Sequence, residues 1–249
     1  MKKKLLFIGL FLLAIACSKP SECVESLGDL TTKNIEVQPF TKLFVNPGIE
    51  VIIKQATTYK VTISTGSNLI DNIEVTQDGS TLTLTDKTTC NWVREYGQTK
   101  VYISAPNIEN IYSKTERPIS SDGVLTYPIL RFFALDKDFD SAKGAGTGDF
   151  YININNGQVV VESNNVARFF ISGFTNEALF NFYGGDSRLD AQNLLAQNIK
   201  IVHRGSNDMV VRPIQKIEGK LLSTGNLIVK NNPPINTLQQ LYTGQIIYN

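Results

Sequence analysis

The 249-residue chain carries 24 basic and 23 acidic side chains, a balance that excludes a general nucleic-acid binder, which needs a concentrated basic face to displace counterions. One histidine gives a single base for any histidine-dependent nucleophile, and the three cysteines, assigned below to an anchor and a pair, leave no ligand set for a zinc centre. No cofactor is called for by this composition.

Lys2, Lys3 and Lys4 open the chain, and an apolar run from Leu5 to Ala16 follows, the pattern of a signal peptide. The run falls short of the about 20 apolar residues a membrane-spanning helix needs, so residues 1–16 are expected to be removed. Their loss takes three lysines and leaves 21 basic against 23 acidic residues. The run ends in Leu13, Ala14, Ile15, Ala16 and Cys17, which resembles the bacterial lipobox, with Ala14 where that pattern prefers leucine. The resemblance implies lipidation of Cys17, and each buried methylene of such an anchor contributes about 0.8 kcal/mol of membrane affinity. Residues 17–34 then read as a tether, opened by Ser18, Lys19, Pro20 and Ser21. With Cys17 acylated, Cys23 and Cys90 remain, and in an oxidising compartment an even pair reads as one disulfide; two unpaired thiols are the alternative.

From residue 35 onward the chain alternates in the strand period, as in Ile49–Ile53, Tyr59–Ile63, Thr81–Thr85 and Lys100–Ser104. Asp78 and Gly79 fall between two such runs and predict a tight hairpin. No long helical stripe occurs; the nearest, Asn193 to Asn198, is short enough for one turn of a coil to absorb. In the second half Gly185, Gly205, Gly225 and Gly244 recur at separations of 20, 20 and 19 residues, each followed by a β segment. That period predicts a solenoid, with glycine at corners that need positive φ or close backbone approach, and asparagines such as Asn164, Asn165 and Asn231 supplying further corners or side-chain hydrogen bonds along the stack.

A family resemblance emerges from these segments taken in order. Phe40–Val45 with Ile49–Ile53, then Asn68–Ile73, Leu82–Leu84 and Val101–Pro106, followed by the glycine-spaced coils and Tyr242, Thr243 and Gly244, resemble the head GIN domain family of auto-transporter adhesins over roughly residues 36 to 249. The resemblance implies an all-β fold, a right-handed parallel β-helix-like solenoid with an N-terminal antiparallel β region, over residues 35–249, and many lipoproteins among the members. It carries over no catalytic residue. The repeated Gly-Ser-Gly corners of that family are eroded here, for example to Ser163, Asn164 and Asn165.

Candidate chemistry is sparse. His203 lies next to a corner, on the face opposite Val202, and reads as structural or solvent-facing. Asp136, Asp138 and Asp140 alternate so that three carboxylates share one face, the best candidate for a calcium ion, although Ser141 stands where an EF-hand loop needs glycine. Gly144 to Asp149 resembles a single copy of a calcium-binding turn without its stacked partner. Arg168, Arg188, Arg204 and Arg212 could serve a β-helix polysaccharide lyase, but no acid–base pair can be placed beside them. In Phe132 and Phe133, Phe169 and Phe170, and Phe180, Phe182 and Tyr183, alternation sends some rings inward and others out, where they could contact sugar or protein. The expected function is a lipid-anchored, non-catalytic binding or adhesion module of the outer membrane, periplasm-facing in preference to surface-exposed, with a glycan or protein ligand. A calcium-assisted carbohydrate-active enzyme and a structural periplasmic lipoprotein are the alternatives. The open end of a β coil also invites self-association.

Overall fold

A computed structural model of the chain describes residues 26–88, 97–136 and 146–249. They fold as an all-β protein whose one helical element is a 3-10 turn at Ile70–Asn72. Ten strands come first: β1 (Leu30–Ile35), β2 (Lys42–Val45), β3 (Glu50–Gln55), β4 (Lys60–Gly66), β5 (Ile73–Asp78), β6 (Thr81–Asp86), β7 (Lys100–Ala105), β8 (Asn110–Ser113), β9 (Ile119–Ser121) and β10 (Ile129–Ala134). Three long ones follow, β11 (Phe150–Ser163), β12 (Arg168–Phe182) and β13 (Arg188–His203). The last are β14 (Met209–Val211), β15 (Pro213–Leu221), β16 (Leu227–Val229), β17 (Ile235–Gln240) and β18 (Ile246–Tyr248).

These strands assemble into two ladders that share β11, β12 and β13. The first runs β1-β4-β7-β3-β9-β11-β12-β13-β14-β16-β18. The second runs β5-β6-β2-β8-β10-β11-β12-β13-β15-β17. The long strands serve both because their inward phase switches partway. In β11, Phe150, Ile152 and Ile154 are buried and then Val159, Val161 and Ser163, with the change of parity at Gly157.

Three ladders are antiparallel, β1–β4, β4–β7 and β5–β6, and the remaining ones among the described strands are parallel. The antiparallel region expected at the N-terminus is therefore narrower than its sequence position suggested. Strands β2 and β3 join the parallel stack directly, because Leu43, Val45, Val51 and Ile53 present the same buried alternation as the later strands they meet. Asp78 and Gly79 do form the hairpin turn: Asp78 pairs with Thr81, and Gly79 has φ +52°. Asn193–Asn198 is strand, within β13, where a register shift between Phe170 and Ser172 of β12 breaks the strict alternation.

Parallel register puts like side chains over like. Phe150 pairs with Phe169, Phe169 with Leu189, Leu189 with Met209 and Met209 with Leu227, so one dry column runs through the interior. Phe150 and Phe169 stack at 4.7 Å, and Phe132 meets Phe150 edge-on at 5.4 Å, in the geometries that aromatic quadrupoles favour.

The glycine corners stack as well, though for two different reasons. Gly185 has φ +73°, where a side chain is strained, and its backbone also lies against the Asn165 carbonyl. Gly225 is outside the left-handed region; a Cβ there would sit 2.2 Å from the Asn207 carbonyl oxygen and 2.5 Å from His203 Nε2. Close approach, more than left-handed backbone, makes glycine necessary along this edge. Asn165 occupies the equivalent corner one layer earlier. It is buried, its Nδ2 donates to the Gly146 carbonyl at 3.0 Å, and its Oδ1 accepts from Ser163 Oγ and the Ala167 N–H. The expected side-chain hydrogen bonding along the stack is realised there and at Asn231, whose Nδ2 donates to the Pro213 carbonyl at 2.7 Å.

Candidate functional site: an aromatic groove on the outer face of the first ladder

A strand face turned to water ordinarily carries polar side chains. On the outer face of the first ladder the register instead aligns Ile52, Ser120, Tyr151, Phe170 and Asp190 in one column. Tyr151 and Phe170 stack at 5.0 Å with planes 4° apart. Ser120 is the residue that pairs with Tyr151 on its other side, too small to cover the second face of the phenol ring. Tyr151 is accordingly 46% exposed.

Around this pair lies a groove of about 430 Å³ lined by Ser121, Tyr151, Asn153, Phe170, Ser172, Asp190, Gln192 and Asn193, with the backbone edges of Ile152 and Ile171. Its side chains form an apolar floor with hydroxyl and amide groups along it and one carboxylate. Asp190 accepts from the Gln192 backbone N–H and from its side-chain Nε2, both at 3.3 Å. The β12 register shift places Gln192 beside the groove, since the extra residue on β13 falls between Asp190 and Asn193.

The ring of Tyr151 is held from its far end. Its hydroxyl donates to Asp149 Oδ2 at 3.0 Å, and Arg168 closes a two-pronged pair on the same carboxylate, Nε to Oδ1 at 2.8 Å and Nη2 to Oδ2 at 2.7 Å. The hydrogen bond to Asp149 is the main reason the phenol is pushed above its ordinary pKa, and Arg168's own hydrogen bonds to the same carboxylate raise that of the guanidinium. A planar two-pronged pair fixes orientation better than a point charge. The network thus positions an open ring face before any ligand arrives.

Two other surfaces are less suited to a ligand. Phe44, Tyr112 and Phe133 stack outward on the second ladder at 6.0 and 4.6 Å, but Phe44 is 7% exposed and the other two rings are half-buried. A second groove, of about 420 Å³, lies over Glu177, Leu179, Asn198, Lys200, Lys216 and Glu218. Several of its polar groups already engage one another: Lys216 pairs with Glu218 at 2.6 Å, and Asn198 donates to Glu177 at 2.6 Å.

The residues singled out in the sequence fall as follows. Phe132, Phe169, Phe180 and Phe182 point inward and are fully buried, while Phe133, Phe170 and Tyr183 point out. His203 is 1% exposed and sits under the glycine corner. Its Nδ1 accepts from the Gly205 N–H at 3.3 Å, its ring meets Phe182 edge-on at 5.9 Å, and Nε2 completes no hydrogen bond although the Asn207 and Asn226 backbone groups face it. Burial holds its pKa below the usual histidine value. It is a core residue and lines neither groove. Arg168 is taken by Asp149, and Arg188, Arg204 and Arg212 stand apart from the groove. Asp136 is exposed, with its backbone N–H donating to Asn164 Oδ1; Asp138 and Asp140 lie outside the described residues, as do Cys17, Cys23, Cys90, Gly144 and Ala145. Among the described residues no three carboxylates, histidines or cysteines converge on a point where a metal could sit. Sequence reasoning missed Tyr151, Asn153, Ser172 and Gln192, because their proximity depends on register between strands of unequal spacing.

Residues 39–233 match the family model described as "Putative auto-transporter adhesin, head GIN domain". The chain belongs to that family. Solved structures share the head GIN fold: one from Bacteroides fragilis described as a putative adhesin has a TM-score of 0.80 at 21% identity, covering 90% of this chain and all of that one. A putative adhesin from Parabacteroides distasonis reaches 0.65 at 13% identity, over 90% of this chain and 100% of its own. Another from the same species, described as a putative lipid binding protein, reaches 0.64 at 12% identity, over 90% and 99%. None of the curated proteins matches the chain. Among the described residues no helix is long and apolar enough to cross a membrane.

Proposed function

We propose that this head GIN protein is a non-catalytic adhesion module of the cell envelope that binds a neutral glycan along the outer face of its first ladder. The observation that carries the reading is the Tyr151–Phe170 pair, stacked, open to solvent on the Ser120 side and rimmed by Ser121, Asn153, Ser172, Gln192 and Asn193. A sugar ring has apolar C–H faces and hydroxyl edges, and this groove offers an aromatic plane with donors and acceptors in reach of its edges.

The finer architecture belongs to the same proposal. The parallel layers wind as a right-handed β-helix-like solenoid, and the rigid stack holds the groove residues at the strand spacing of about 4.8 Å along its axis. Cys17 anchors the mature chain to the outer membrane by lipid, on the periplasmic side, with the segment ahead of β1 as tether, since Leu30–Ile35 already pair with β4. Cys23 and Cys90 form one disulfide tying that tether to the first β region.

The test is a binding screen of the mature chain, Cys17→Ser, against neutral gluco-, manno- and N-acetylhexosamine oligosaccharides, with and without calcium. Saturable binding without cleavage products supports the reading. Cleavage that requires calcium would replace it with the enzyme alternative, and no binding across the panel overturns the glycan assignment.

A further inference from the structure

The two ends of the stack differ. At the β1 end the outermost strands, β1 on β4 and β5 on β6, are antiparallel and pair on one side only, but they carry charge, Lys33 on β1 and Glu74 and Asp78 on β5. At the other end β17 and β18 each pair on one side only, with β15 and β16. Among the described residues nothing covers their free edges. Ile235 is 52% exposed, Ile247 42% and Tyr248 49%.

Exposed edges are ordinarily protected by charge, above all by lysine. Here residues 231–249 contain no Asp, Glu, Lys or Arg; the last charged side chain is Lys230. An edge without charge carries no repulsion against its own copy, whereas a charged edge would meet like charge across any two-fold axis. The side chains that end the interior columns are also uncharged. Asn236, Leu238 and Gln240 continue the columns of Ile217, Gly219 and Leu221, and Ile246 continues that of Leu227, so the terminal layer shows a partly apolar core cross-section to solvent.

We propose that this end is an isologous interface between two copies of the chain, with β17 paired antiparallel to the partner's β17. The backbone sets the register. The Leu241 N–H donates inward to the Leu221 carbonyl, so by alternation Asn236, Leu238 and Gln240 direct their N–H and C=O groups to the free edge. Leu238 N–H is met there only by the Asn236 side chain, at 3.2 Å. Antiparallel strands exchange both hydrogen bonds between residues of matching direction, which centres the pairing on Leu238, with Asn236 opposite the second copy's equivalent of Gln240. The β1 edges then lie at the two far ends of the dimer.

Two measurements test this on the mature chain with Cys17, Cys23 and Cys90 changed to serine. Light scattering coupled to size exclusion should give twice the monomer mass, and Gln240→Pro and Leu238→Lys should each return it to the monomer with an unchanged β circular-dichroism spectrum. Proline at 240 removes a free-edge donor and no ladder bond, so folding is retained. Separately, Leu238→Cys should form an intermolecular disulfide far faster than Val124→Cys, an exposed control on another surface. A monomer at every concentration, a dimer that survives both edge variants, or equal cross-linking of Leu238→Cys and Val124→Cys overturns the proposal.

Discussion

Replacing Gly225 with alanine tests whether the corners are as tightly stacked as the register implies. The new Cβ would lie 2.2 Å from the Asn207 carbonyl oxygen, 2.5 Å from His203 Nε2 and 2.8 Å from the Gly205 carbonyl oxygen, all inside van der Waals contact. Two of these are backbone atoms of neighbouring layers and the third belongs to an imidazole that is 1% exposed, so no neighbour can swing into solvent. The backbone at 225 is not left-handed, which leaves overpacking as the source of the loss, about 2 kcal/mol. For a domain of this length that lowers Tm by roughly 4–8 °C. Gly184→Ala, in the neighbouring corner, is the internal control. A Cβ there meets nothing within 4 Å and needs no positive φ, so stability should stay level or rise by up to about 1 kcal/mol through the unfolded chain. Thermal unfolding by circular dichroism compares the two. Equal Tm values for both variants would refute the stacked-corner argument.

Other outcomes follow from the same packing. Phe169→Ala, which opens a hole between Phe150 and Phe182, should lose about 3–5 kcal/mol in urea unfolding. His203 is the sole histidine and its folded pKa is depressed by burial, so the unfolded chain binds the proton first. Its contribution to stability is present above pH 6.5 and declines as pH falls below it; Tm measured from pH 7.5 to 5.5 should drop, and the drop should flatten in His203→Phe. Cys17→Ser should move the protein from the membrane to the soluble fraction of cells that express it, and mass spectrometry without reductant should find Cys23 joined to Cys90.

The all-β class was legible because alternation at Ile49–Ile53 or Lys100–Ser104 is a local property, and so was the inward–outward split of Phe132 from Phe133 and of Phe169 from Phe170. The glycine period at 185, 205, 225 and 244 marked corners that do stack. The groove was illegible for a different reason. Ser120 reaches Tyr151 across 31 residues and Tyr151 reaches Phe170 across 19, so no single period joins them. Asn193 to Asn198 hid its strand character because the register shift before it replaces alternation with a short amide-rich run. Asp149 resembled a calcium ligand in sequence, and only the fold brings Arg168 onto it.

The sharpest test of the central claim compares two tyrosines of nearly equal exposure, Tyr151 at 46% and Tyr183 at 48%. Calorimetric titration of each alanine variant with the tightest neutral oligosaccharide from the screen separates a built site from general aromatic stickiness. The account predicts at least a tenfold loss for Tyr151→Ala, about 1.4 kcal/mol, with Tyr183→Ala binding like the unaltered chain. Equal losses at both positions, or none at Tyr151, would contradict it.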